Sequence, residues 1–168
     1  MSARPIPPPL PEGVTIRRAT LDDAPTLARM RARMFEAMGV AEEASPQMEA
    51  RFAGYLERAM PAGEFLARIA FADGEAIGSA AALITAGPPY VPAPDGRVAR
   101  LLNVFVDEAW RGRAIARALI IEVLDDCEAD GIRRVGLVAT EQGRPVYEAL
   151  GFEPAAEMRL SLDGWLKE

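Results

Sequence analysis

The stretch Trp110-Arg-Gly-Arg-Ala-Ile-Ala-Arg117 decides how this chain is read. It separates two strongly patterned segments. Before it, Arg97 to Val106 predicts a strand and Asp107 to Gly112 a turn. After it, Arg113 to about Asp130 predicts an amphipathic helix, with Ile115, Leu119, Ile120, Val123, Leu124 and Cys127 facing inward. Arg117, Glu122, Asp125, Asp126 and Asp130 are expected mostly outward. A helix that starts at such a turn offers backbone N–H groups without intrahelical partners, at the positive end of the helix dipole. Small residues let a phosphate approach that backbone, and Arg111, Arg113 and Arg117 can add cationic support. Neither G-x-x-x-x-G-K-[ST] nor G-x-G-x-x-G is present. Taken alone, the turn reads equally as a pyrophosphate site or as a β-α connection with solvated arginines.

Outward from this stretch, the remaining elements follow from periodicity and punctuation. Val14 to Arg18 predicts a first strand, and Thr20 with Asp23 resembles a capping box. The helix it opens runs to about Met38, with Leu27, Met30, Met34 and Met38 as one apolar stripe. After an acidic loop over Gly39 to Ala44, Ser45 and Pro46 predict the start of a helix to about Met60, ended by Pro61 and Gly63. Phe65 to Phe71 and Ala76 to Thr85 predict strands joined by the Asp73-Gly74 turn. Gly87 to Gly96 carries prolines at 88, 89, 92 and 94, and is expected as a loop or broken edge. Gly131 ends the long helix. Arg134 to Thr140 predicts a strand, Gly143 to Leu150 a short helix, and Glu157 to Leu162 a last strand. The order β-α-α-β-β-β-α-β-α-β predicts one α/β domain, with a mixed, mostly antiparallel sheet holding one parallel strand pair. That domain should occupy residues 13–168, after a proline-rich flexible lead-in over residues 1–12.

Composition narrows the chemistry. The chain has 168 residues, half of them apolar, which suits one domain with a real core. A net charge of −6 without a basic stripe argues against nucleic acid or an anionic membrane as partner. There is no His, which removes His bases, His triads and His metal ligands. The single Cys127 removes disulfide frameworks and multi-Cys metal sites, and fits a reducing cytosol. No metal is expected. The N-terminal MSARPIPPPLPEG lacks the apolar region of a signal peptide, and no run reaches the ~18 apolar residues of a membrane span.

The turn resembles the acetyl-CoA signature [QR]-x-x-G-x-[GA] of the GNAT superfamily of N-acetyltransferases, here Arg111-Gly112-Arg113-Ala114-Ile115-Ala116. Upstream, Asn103-Val104-Phe105-Val106-Asp107 resembles the family's fourth strand. Downstream, Gly143-Arg-Pro-Val-Tyr147-Glu-Ala-Leu-Gly-Phe152 is similar to its terminal helix and Y-E-x-L-G-F ending. The resemblance implies acetyl-CoA as cosubstrate. Its pyrophosphate would rest on the turn from Arg111 to Arg117, and its pantetheine would pair with Val104, Phe105 and Val106. It further implies a small-molecule or peptide primary amine as acceptor, and a homodimer. Ala114 departs from the usual Gly; it is expected to be helical, so that its methyl adds no backbone strain and points away from the phosphates. Thr140 and Gly143 stand where many members carry Asn and Ala.

Attack of an amine on a thioester expels a thiolate, which benefits from a proton donor. The family places a Tyr at the position of Tyr147, and a phenol of pKa about 10 is a feasible donor. Tyr147 also reads as a packing ring. Where some members carry a Glu base on the fourth strand, this chain has Arg100. Glu42, Glu43 and Glu141 are alternative bases, and each also reads as a surface carboxylate. Arg97 and Arg100 could bind an acidic substrate group or be solvated. Cys127 reads as a packed thiol. Two further readings stay open: a non-catalytic acyl-CoA-binding sensor, and an interaction module built on the proline-rich segments.

Overall fold

The computed structural model describes residues 5–158 and 160. The chain groups into two units, residues 1–138 and 139–168. The first unit holds a five-stranded sheet: β1 (Val14–Arg18), β2 (Phe65–Ala72), β3 (Glu75–Ala86), β4 (Arg97–Val106) and β5 (Val135–Gly136), in that spatial order. The first three pairings are antiparallel, and β4 pairs with β5 in parallel. This is the α/β fold with a mixed sheet that the element order predicts.

Helices α1 (Ala24–Ala37) and α2 (Pro46–Ala59) pack on each other, and α1 on β3 and β4. Helix α3 (Ile115–Ala129) packs on β2, β3 and β4. Alternation in β2 explains the two layers. Phe65, Ala67 and Ile69 join Leu27, Leu56 and Ala59 in one buried cluster. Arg68, pointing the other way, reaches α3. The run Gly78-Ser-Ala-Ala-Ala82 in β3 is buried throughout, so small side chains let the covering helices approach this central strand.

Several expectations are corrected by the packing. Asp126 is buried rather than outward: Arg68 grips it through Nε and Nη2, both at 2.7 Å, and reaches Glu122 at 2.9 Å. A bidentate guanidinium–carboxylate pair makes that burial tolerable. The methionine stripe of α1 is only half used, since Met30 is buried while Met38 is 52% exposed. Residues 87–96 form the expected loop, closed at its base and tip by backbone bonds. Gly87 N–H donates to Gly96, and Tyr90 and Ala93 exchange two backbone bonds. Strand β5 keeps two of the seven residues expected from Arg134 to Thr140. The lead-in residues 5–11 have no regular secondary structure.

Among the described residues, all four α-helices end the same way. Each is followed by a left-handed glycine: Gly39, Gly63, Gly131 and Gly151. The next N–H then reaches back to close the final turn: Val40 to Phe35, Glu64 to Ala59, Ile132 to Cys127 and Phe152 to Tyr147. At the first helix entry, Asp23 accepts from Thr20 N–H at 2.8 Å and is gripped by Arg17. The Arg17 hydrogen bonds hold the Asp23 carboxyl down at about 2.

The second unit holds α4 (Arg144–Ala149). The strand expected over Glu157–Leu162 lies partly outside the described residues, and Glu157, Met158 and Leu160 carry no strand pairing.

Candidate active site

The turn before α3 has an unusual backbone. Gly112 has φ +73° and Ala114 φ +60°, so two residues in three are left-handed. Ala114 is therefore not helical, contrary to expectation; it is the left-handed N-cap of α3. A Cβ in this conformation costs roughly 1 kcal/mol, which is why glycine is the usual choice. Ala114 has no side-chain oxygen with which to cap the helix, so the first N–H groups of α3 at Ile115, Ala116 and Arg117 lack a side-chain partner from this position. Ile115 is buried at the start of α3.

The three arginines are held differently. Arg111 Nε donates to the Val106 carbonyl at 3.0 Å, tying the turn to the end of β4. The Arg113 guanidinium lies 4.9 Å from the Trp110 ring centre. Arg117 is exposed on the first turn of α3. Behind the turn, Arg33 Nη2 sits 2.7 Å from Asp107 Oδ1, an ion pair close in distance but poorly aligned as a hydrogen bond.

Strand β4 carries two irregularities. Its register with β3 jumps from Ser79↔Phe105 to Ala81↔Leu102, so Asn103 and Val104 together face Ala80. Asn103 has φ +52° at this bulge. On the opposite edge, β4 pairs with β5 only at Ala99 and Arg100, so Val104, Phe105 and Val106 have no strand partner there among the described residues. Phe105 and Val106 are buried. Gly78 lies against this segment: an added Cβ would sit 2.9 Å from the Phe105 carbonyl oxygen.

Arg31 and Gly78 escaped sequence reasoning. An Asn inside an apolar strand and a Gly in the strand before it were the available signals of a bulge and a close approach. Arg31 Nη1 donates to Asn103 Oδ1 at 2.7 Å, while Nη2 is 3.8 Å from Glu43. Burial pulls the Arg31 pKa down, and Glu43 opposes it. Among the candidate bases, Glu43 is thus paired, and Glu42 and Glu141 are exposed. Arg97 donates to the Asp130 carbonyl at 3.0 Å, capping the end of α3. Arg100 is exposed on β4. Burial, with Asp126 and Asp130 adding to it, pushes the Cys127 thiol up to about 11, as suits a packed residue rather than a nucleophile.

In the second unit, Tyr147 sits on α4. Its ring meets Phe152 edge-on, with centres 5.9 Å apart. A Cβ on Gly143 would lie 3.2 Å from the Tyr147 ring, and Gly143 N–H donates to Thr140 Oγ1 at 3.1 Å. Burial raises the phenol above its ordinary pKa, so it keeps its proton at neutral pH. Among the described residues, no group of three acidic, His or Cys side chains could hold a metal ion, and no helix is long and apolar enough to cross a membrane.

Known proteins share both pattern and fold. A "predicted acetyltransferase" from Clostridium acetobutylicum, solved with acetyl-CoA, is 25% identical, with TM-score 0.81 over 89% of this chain and 96% of that one. A GCN5-related N-acetyltransferase from Ralstonia eutropha JMP134 is 27% identical, with TM-score 0.81 over 90% of this chain and all of that one. The glucosamine 6-phosphate N-acetyltransferase of Trypanosoma brucei brucei is 32% identical over 90 residues, which is 54% of this chain and only 58% of that protein. The model of the family described as "Acetyltransferase (GNAT) family" matches residues 27–152, which include the turn, the bulged strand and Tyr147. With most of its length matched, from α1 through Phe152, the chain belongs to the GNAT family of acetyltransferases.

Proposed function

We propose that this chain transfers an acetyl group from acetyl-CoA directly to a primary amine. The observation that carries the reading is the turn before α3. Two left-handed residues, small side chains and an uncapped helix N-terminus make a concavity suited to a pyrophosphate. On this reading Gly112 and the N–H groups from Arg113 to Arg117 hold the diphosphate, with Arg111, Arg113 and Arg117 adding charge. The edge of β4 from Val104 to Val106 pairs with the amide-bearing pantetheine arm, as a strand would. A backbone N–H there polarises the thioester carbonyl. The amine nitrogen forms a bond to that carbonyl carbon, the carbon–sulfur bond breaks, and Tyr147 gives its proton to the departing thiolate. The proton that the nitrogen sheds as the amide forms passes through water to the phenolate and restores the phenol. Acetyl-CoA supplies the activated acyl group, and no metal enters the scheme.

The acceptor is sought among amines. The name of the trypanosomal relative puts an amino sugar phosphate first in the panel, followed by aminoglycosides, polyamines and peptide N-termini. Thiol release from acetyl-CoA is the readout. Binding is tested separately with a matched pair, Gly112→Asn and Gly112→Asp. Nothing lies within 4 Å of an added Cβ at Gly112, and both residues tolerate its left-handed backbone better than most. The pair differs in charge alone. The Asp variant should bind CoA at least about tenfold more weakly than the Asn variant by calorimetry. Equal affinities would overturn the diphosphate assignment. CoA binding with no thiol release across the panel would favour an acyl-CoA sensor, which the methyl on left-handed Ala114 also supports. A homodimer belongs to the same proposal, and sedimentation at assay concentration tests it.

A further inference from the structure

Arg31 has no part in the proposed transfer itself, yet it is unusually well held. It projects from α1, and its side chain is 26% exposed. The guanidinium carbon lies 4.6 Å from the Phe35 ring centre and 4.9 Å from that of Phe52, so aromatic rings from α1 and α2 fix its plane. Glu43, from the connection between those helices, lies 3.8 Å from Nη2. What this assembly presents is Nη1, which donates to Asn103 Oδ1 at 2.7 Å across 72 residues of sequence.

Asn103 is the left-handed residue of the β4 bulge, with φ +52°. Such a backbone is costly for most residues, and Asn adopts it where its amide is satisfied locally. A second contact acts on the same residue, since Ser79 Oγ donates to the Asn103 carbonyl at 3.4 Å. The bulge sets the direction in which Val104, Phe105 and Val106 leave the ladder. We infer that Arg31 is a positioning residue: by holding the Asn103 amide it fixes the β4 bulge, and so sets the strand edge that receives the acyl-CoA. The part about acyl-CoA rests on the proposed function, whereas the tether to the bulge does not.

The experiment therefore reads both parts. Arg31→Met keeps the volume between Phe35 and Phe52 but removes the donor. Asn103→Gly keeps the left-handed backbone but removes the acceptor. Asn103→Asp keeps an acceptor and should behave as wild type. Amide hydrogen exchange is followed along β4 in each variant and in the Arg31→Met/Asn103→Gly double variant. Exchange at Val104 to Val106 should speed up at least about tenfold in both single variants, with Val98 to Leu101 unchanged. The double variant should be no worse than the more affected single one, because one interaction is lost once. CoA affinity should fall by a similar factor and recover in Asn103→Asp. Unchanged exchange at 104–106, or an equal rise along all of β4, would overturn the inference. So would additive effects in the double variant. Failure of the wild-type chain to bind CoA would sink the proposed function but leave the exchange result to decide on the tether.

Discussion

At the residue scale, Ala114 holds a left-handed backbone that places a Cβ where glycine would be unstrained. Alanine is the best helix former, so a position one step from a helix reads as helical. The chain instead turns there with φ +60°, and Ala114 lies outside the first helical turn. Ala114→Gly should therefore stabilise the protein, by up to about 1 kcal/mol, through relief of that strain. A lower melting temperature would show that the left-handed turn is not strained. Tyr147 was singled out by the motif around it, and the structure gives that motif a packing cause. Its ring meets Phe152, and Phe152 N–H bonds its carbonyl, so the Tyr-x-x-x-Gly-Phe pattern is also the signature of a helix end. Tyr147→Phe separates the two roles, since it keeps the ring and loses the proton. With an accepted amine, turnover should fall roughly 10²-fold while the KM for acetyl-CoA and the melting temperature hardly move. Full turnover with chemistry rate-limiting would remove Tyr147 from the mechanism.

At the element scale, helices were read well and strand irregularities poorly. Ser45-Pro46 and the glycines after each helix act through local backbone chemistry, so their meaning lies within a few residues of sequence. The β4 bulge depends on a register set by β3 and on an arginine from α1, and neither can be read from β4 alone. Two glycines make the distinction measurable. Gly54 lies exposed in α2 with nothing within 4 Å of an added Cβ. Gly54→Ala should gain up to about 1 kcal/mol from helix propensity. A Cβ on Gly78 would meet the Phe105 carbonyl at 2.9 Å and Val106 Cγ2 at 3.1 Å. Backbone cannot step aside cheaply, so Gly78→Ala should cost about 1–3 kcal/mol. It should also weaken CoA binding by shifting the end of β4. Paired denaturant titrations with calorimetry would check this, and a Gly78→Ala protein as stable as wild type would contradict it.

At the scale of the whole molecule, the alternation of elements was enough to predict a mixed sheet with one parallel pair, while the spatial order β1 to β5 came only with the structure. The extent of β5 was not predictable. Its segment has strand-forming residues, but a parallel pairing is fixed by how the partner strand lies, and β4 accepts only two residues of it. The buried thiol of Cys127 has a practical consequence at this scale. It lies 1% exposed on α3, its carbonyl closes the end of that helix, and burial holds its pKa near 11. Only the thiolate alkylates, so the native chain carries one silent reactive group. Exposure requires α3 to leave the sheet. The rate at which iodoacetamide modifies Cys127 thus becomes a clock for that opening, readable as one mass increment per chain without any added label. In buffer it should run at least about 10³-fold slower than in denaturant, the gap expected if α3 opens only with the main sheet. Faster labelling would mark α3, the helix that starts at the proposed diphosphate site, as an element that detaches on its own.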